Sequence, residues 1–186
     1  MATSLVERRP DAHGTRTVRL DGCDPDSALP PVLGRGDPTA RRWPNGFARA
    51  VHTPSGPGTL AFTWTTGGEA RIEAWGSAEA VDRLLAVAPG WLGVSDAVDD
   101  FRPTHPLISE LWRRRPGARL GATGLVWPEL LPTIVAQRVQ FVDAARSWRR
   151  MVVALGEPAP GPLGLRLPPG PERLRRTVRL TLDVPP

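Results

Sequence analysis

Residues 126–158, VWPELLPTIVAQRVQFVDAARSWRRMVVALGEP, constrain the fold of this chain more than any other stretch. Leu130, Leu131, Ile134 and Val135 recur at helical spacing, and Val142, Ala145, Trp148, Met151, Val152 and Leu155 do the same further on. Between the two sets lies a short polar turn, Gln137-Arg138-Val139-Gln140. The pattern predicts two helices broken by that turn. Gly156 is the expected C-cap residue, and Pro158 blocks continuation.

The first half of the chain has a different period. Residues 15–20 alternate and predict a strand. Asp24 and Pro25 have the chemistry of an N-cap and a first helical position, so a short helix is expected within residues 24–33. Residues 34–46 read as a loop containing Arg41-Arg42-Trp43. Three strands then follow, at residues 47–53, 59–65 and 69–75. Leu60, Phe62 and Trp64 fall on one face of the second of these, and Ala70, Ile72 and Ala74 on one face of the third. Gly67-Gly68 predicts the tight turn between them. Ser77 is placed to cap a helix to about residue 88, with Ala80, Val81, Leu84 and Leu85 as its apolar stripe.

Residues 89–103 read as a linker with an acidic cluster, and Thr104 as the cap of a helix running through Arg115. Residues 157–172 are too rich in Pro and Gly for regular structure. Residues 173–186 alternate like a short strand or are disordered. The expected class is α+β, a small antiparallel sheet with helices followed by a helical part. The expected division is a flexible leader at 1–14, a β-rich domain with its linker at 15–103, a helical domain at 104–174 and a divergent tail at 175–186.

The 186 residues carry a net charge of +5, and all 24 basic residues are Arg. Without Lys there is no Schiff-base nucleophile and no phosphate-loop lysine. The single cysteine, Cys23, excludes an intramolecular disulfide and a Cys-rich zinc site. His13, His52 and His105 are too far apart in sequence to announce a metal site. No apolar run approaches the length of a membrane span, and the first residues lack a signal-peptide core, so a cytoplasmic, bacterial-type protein is expected.

The motif Thr133-Ile134-Val135-Ala136-Gln137-Arg138-Val139, with Ala144-Ala145 and Leu155-Gly156-Glu157-Pro158 beyond it, resembles the opening of the helix-hairpin-helix DNA glycosylase core. It is most similar to the DNA-3-methyladenine glycosylase II family. His105-Pro106-Leu107-Ile108, Arg119-Leu120-Gly121 and residues 165–174 extend the resemblance over residues 15–174. It implies a base-excision-repair protein that acts on double-stranded DNA with damaged bases, associated with the nucleoid. It implies hydrolysis of the N-glycosidic bond of alkylated purines in the intact family, with no metal or cofactor. The family's later Pro-Gly hairpin and catalytic Asp have no match among these residues. Asp183 is the only Asp beyond Asp143, and no hairpin precedes it. The expectation is therefore a chain cut short before its chemistry, with no catalytic residue, and a non-catalytic DNA-binding or protein-interaction module is the alternative.

The resemblance places the turn in the minor groove, with its tip filling the gap left by an extruded base. Gln137 matches the family, and Arg138 stands at the tip. The expected DNA-binding set is Gln137, Arg138, Val139, Arg149 and Arg150. The other reading of the same residues is a solvated turn between two helices. Arg113-Arg114-Arg115 admit two readings as well, phosphate contact or complementing a helix dipole. Trp64, Trp75, Trp112 and Trp148 fall on apolar faces and read as core, while Trp43 is the candidate for base stacking.

Overall fold

The computed structural model describes residues 12–65 and 68–177. Its architecture is α+β. Strands β1 (Ala12–Arg19), β2 (Ala40–Trp43), β3 (Gly46–Thr53), β4 (Gly56–Trp64) and β5 (Glu69–Gly76) form one antiparallel sheet in the order β1-β5-β4-β3-β2. β1 reaches back to Ala12, so His13 and Gly14 belong to the sheet and not to a leader. Arg41-Arg42-Trp43, expected in a loop, form the edge strand β2, with Arg41 opposite Ala48 and Arg42 opposite Phe47. Gly67 lies outside the described residues. Gly68 has φ of +80°, the left-handed conformation a tight turn asks of glycine.

One sheet face carries Phe47, Leu60, Phe62, Ile72 and Ala74, all buried. Helix α2 (Ala78–Trp91) covers it with Val81, Leu84, Ala88 and Trp91. The Ser77 side chain accepts from the Ala80 amide, and the helix continues through Pro89 to Trp91, past its expected end. The Trp91 indole N–H donates to the Thr123 carbonyl at 3.0 Å, which satisfies the polar atom of a fully buried ring.

The second face is also covered, and not by helices. Ala48, Ala50 and Ala61 pack against Leu165 and Leu167. These leucines come from the Pro- and Gly-rich segment, which folds back with two short paired strands, β6 (Glu157–Pro158) and β7 (Arg166–Leu167). The Thr59 hydroxyl donates to the Pro160 carbonyl at 2.7 Å, and His52 Nε2 lies 2.7 Å from the Pro168 carbonyl. Composition hides this arrangement because the ladder is too short to need a periodic pattern. The short helix α6 (Pro171–Arg175) crosses from the stretch expected to be irregular into the one expected as strand or disorder.

Helix α1 (Pro25–Ala28) has Asp24 as its side-chain cap, though it ends earlier than expected. Helix α3 (Pro106–Arg114) is capped by His105, whose Nδ1 accepts from the Leu107 amide at 3.2 Å; Thr104 is not the cap. Helices α4 (Val126–Ala136) and α5 (Phe141–Leu155) flank the expected turn. Leu131, Val135, Trp148, Met151 and Val152 form their shared core, joined by Leu33, Trp127 and Leu174. Gly156 caps α5 with φ of −79°, so it is not there for a left-handed bend; a Cβ would run into the carbonyls of Leu167 and Val152. Of the tryptophans read as core, Trp64 and Trp148 are buried, whereas Trp75 and Trp112 are half-buried.

Contacts cross the expected boundary at residues 103 and 104. The Asp24 amide donates to Gly117, and Arg115 pairs with Asp24 at 2.9 Å. No helix among the described residues is long and apolar enough to cross a membrane.

The C-terminal turn of α3 gives a pH-dependent prediction. Arg113 and Arg114 both hold Glu110, and their hydrogen bonds, Arg113 first, lower its carboxyl pKa from the ordinary 4.5. A lowered folded-state pKa contributes stability that is present above 4.5 and is lost as pH falls through the folded value. Protection of the α3 amides, taken relative to the intrinsic exchange rate at each pH, is therefore expected to fall on acidification from about pH 6 to pH 3, and the Glu110→Gln variant to lose most of that dependence. Equal acid sensitivity in both proteins would show that Glu110 does not hold the helix.

Candidate nucleic-acid interface

The turn between α4 and α5 is built from residues that cannot continue a helix in the positions they hold. Gln137 caps α4 in an extended conformation, its amide donating to Ile134 at 3.2 Å. Arg138 has φ of +60°. That region is costly for a residue with a Cβ, by about 1–2 kcal/mol. Gln140, extended, then starts α5. Gln137, Arg138 and Gln140 are exposed and Val139 is half-buried. The strained backbone thus presents a long cation at the tip of a helical hairpin.

α5 buries Ala144, Ser147, Trp148, Met151 and Val152. Its opposite face carries Val142, Arg146, Arg149, Arg150 and Val153, all exposed. Arg146 pairs with Asp143 at 2.9 Å. The expected residues therefore separate into two groups on one hairpin. Gln137, Arg138 and Val139 stand at the tip, and Arg149 and Arg150 stand some two turns of helix beyond Phe141.

Other basic residues are already engaged. Arg113 and Arg114 hold Glu110, and Arg115 holds Asp24, which disfavours the phosphate-contact reading of that triplet. Trp43 is half-buried with its indole lying on Gly46, where even a Cβ would collide. A ring lodged against the backbone is not free to stack on a base.

The structure also assembles a cleft that the sequence did not announce. It measures about 360 Å³ and lies beside the turn. Pro31, Leu33, Pro132, Ala136 and Phe141 supply apolar walls, and Asp37, Arg49, Glu129 and Gln137 supply polar groups. Arg49 is buried, donating to Glu129 Oε1 at 2.9 Å and to the Pro128 carbonyl at 2.6 Å. Asp37 Oδ1 accepts from the Thr39 amide and hydroxyl, both at 2.8 Å, and from the Trp148 indole at 2.9 Å. Its Oδ2 accepts from the Leu33 amide at 3.1 Å. Two signals in the sequence could have found these residues. Arg49 is a lone charge inside an apolar strand, and Asp37-Pro38-Thr39 is a side-chain-to-backbone turn motif.

Among the described residues, no group of three or more His, Cys, Asp or Glu is placed to hold a metal ion. His13 stacks on Trp75 and lies 3.4 Å from Glu73, His52 meets Pro168, and His105 caps α3. Cys23 is half-buried with its Sγ 3.7 Å from the Gly93 carbonyl.

The fold is similar to that of a solved structure, the 3-methyladenine DNA-glycosylase from Archaeoglobus fulgidus. The two superimpose with a TM-score of 0.67 over 90% of this chain and 60% of that one, at 14% sequence identity. The likeness is one of fold, and this chain spans about 60% of that protein's length. No family model matches the sequence, and no curated protein matches it.

Proposed function

We propose that this chain binds duplex DNA through the α4–α5 turn, with Arg138 inserted where a base is missing, damaged or extruded. The observation that carries the reading is Arg138 itself, exposed and held in the left-handed region at the tip of a hairpin, in a fold similar to a glycosylase. Backbone strain of this kind persists where the surrounding structure enforces it, and functional sites are where it collects. An arginine at such a tip can fill the gap in a stack and reach base edges or phosphates. Gln137 and Val139 flank it, and Arg149 and Arg150 supply backbone contacts further along α5. In this reading the helical hairpin makes the first contact with the DNA.

Arg138→Ala is expected to weaken binding to an abasic or mismatched duplex more than to an intact one, measured by fluorescence anisotropy. Equal loss on both duplexes, or none on either, removes the recognition role. It would favour a protein-interaction module, for which exposed Leu107, Ile108 and Leu111 on α3 provide a surface. Arg138→Gly separates function from stability. Glycine relieves the positive φ but loosens the unfolded chain, so net stability should change by less than about 1 kcal/mol. Affinity should still fall. A residue kept only for structure would show the reverse.

The proposal extends to chemistry. Cleaving a glycosidic bond calls for a carboxylate facing the cationic sugar of the transition state. The carboxylates near the turn are committed elsewhere, Asp143 to Arg146, Glu129 to Arg49, and Asp37 to Leu33, Thr39 and Trp148. The 186-residue chain is therefore expected to release no methylated purine from alkylated DNA above a protein-free control. Release that Glu129→Gln abolishes would make that carboxylate catalytic and overturn this part of the proposal.

A further inference from the structure

A second concave surface lies across the residue 31–39 loop from the cleft, and Val32 and Asp37 line both. It is an open groove of about 710 Å³. Arg35, Arg41 and Arg42 line it, with Gly34, Gly36 and Gly164 between them. Arg149 borders it, since a Cβ on Gly36 would lie 3.6 Å from its Nη1. The four cations come from three separate elements, the loop, the edge strand β2 and helix α5.

The loop is held to α5 closely enough to make this convergence specific. A Cβ on Gly34 would lie 2.7 Å from the Ala145 Cβ, and Asp37 receives the Trp148 indole. The carboxylates offset only part of the charge. Asp26 pairs with Arg42 at 2.7 Å, and Asp37 is held by three hydrogen bonds from its own loop and one from Trp148. Among the described residues Arg35, Arg41 and Arg149 form no ion pair. Charged side chains on an edge strand discourage sheet-to-sheet pairing, which accounts for Arg41 and Arg42 alone. It does not account for Arg35 and Arg149 meeting them from other elements.

We propose that this groove is a second phosphate-binding surface, which takes the sugar-phosphate backbone of a duplex whose contact with the chain begins at the α4–α5 turn. The inference rests on the DNA-binding reading of that turn. The spacing is compatible with one continuous strand. Arg149 stands about 12 Å along α5 from Phe141, the first residue after the turn. Successive phosphates of one strand lie about 3.4 Å apart along the duplex axis, so the two contacts are separated by roughly three or four phosphates. Contacts of this kind set register and affinity and carry no sequence information.

The test uses the whole 186-residue chain and a fluorescent duplex of about 20 base pairs, titrated across salt concentrations from about 50 to 200 mM. Arg35→Ala with Arg41→Ala should lower the slope of log K against log salt by about 1.8, and affinity by about tenfold or more. Arg35→Lys with Arg41→Lys should restore the slope, because the interaction is with charge. Both residues are on exposed loop or edge positions, and an unchanged thermal midpoint confirms that the variants fold. The comparison with Arg138→Ala separates the two readings. If Arg138→Ala weakens binding and the double alanine variant leaves slope and affinity unchanged, the groove proposal fails and the turn survives. If the chain does not bind the duplex at all, the DNA reading itself fails. Displacement of the duplex by a polyglutamate peptide at equal charge concentration would assign the groove to an acidic protein and overturn the DNA assignment.

Discussion

Trp148→Ala is expected to destabilise the protein by about 3–5 kcal/mol, the usual cost of emptying a buried aromatic site. For a chain of this size each kcal/mol lowers the thermal midpoint by about 2–4 °C, so a fall of roughly 10 °C should be seen. The ring is 1% exposed, packs in the centre of the α4–α5 core, and ties Asp37 to α5 through its N–H. Packing and hydrogen bonding make different predictions for Trp148→Phe. That substitution keeps an aromatic ring but loses the donor and part of the indole's volume, and Asp37 retains its other three hydrogen bonds. Its cost should be lower, about 1–2 kcal/mol. If the two variants fall equally, the indole–carboxylate bond dominates and the packing argument is wrong. The functional consequence differs as well. Trp148 lines the cleft from α5 and holds Asp37, so its removal should loosen the loop that carries Arg35 and weaken DNA binding alongside stability.

Arg49→Ala should cost about 3 kcal/mol, within the range for breaking a buried ion pair from one side. The asymmetry of the pair decides where that cost falls. The Arg49 side chain is 7% exposed, whereas Glu129 is 39% exposed and can turn to water. The main losses are the cavity and the Pro128 carbonyl left without its donor. Glu129→Gln leaves the guanidinium its carbonyl partner and a neutral acceptor, and should cost under about 1.5 kcal/mol. Arg49→Met fills the volume without the charge and should lie between them. Chemical denaturation of the three variants checks the order. Glu129→Gln proving as costly as Arg49→Ala would show that the coulombic pairing, and not the buried arginine's surroundings, holds α4 to β3.

Much of the local structure could be read along the chain. The alternation of Leu60, Phe62 and Trp64 and of Ala70, Ile72 and Ala74 identified two strands and their buried faces. Asp24 and Ser77 announced their helix starts, because a cap needs only a side-chain oxygen and an amide two or three residues on. The helix–turn–helix at residues 126–155 followed from apolar spacing, and its turn fell at Gln137-Arg138-Val139-Gln140. Where the reading went wrong, the deciding interaction was at long range. β2 is a strand because β3 pairs with it, while Arg41-Arg42-Trp43 has no alternation of its own. Leu130, Ile134 and Val142 have helical spacing but remain exposed, since the core between α4 and α5 takes only one side of each helix.

The sequence by itself determined the period of each segment, the position of the turn, the Arg-only basicity and the cation at the hairpin tip. These depend on neighbours within a few residues, where backbone geometry and side-chain spacing act directly. Tertiary structure alone decided which arginines are spent and which are left to meet a partner. Arg49 is consumed by a glutamate 80 residues away, and Arg115 by an aspartate 91 residues away, while Arg35 and Arg41 line one groove that Arg149 borders, with no ion pair among the described residues. A charge's availability depends on what folding brings within hydrogen-bond reach, and no local pattern encodes that.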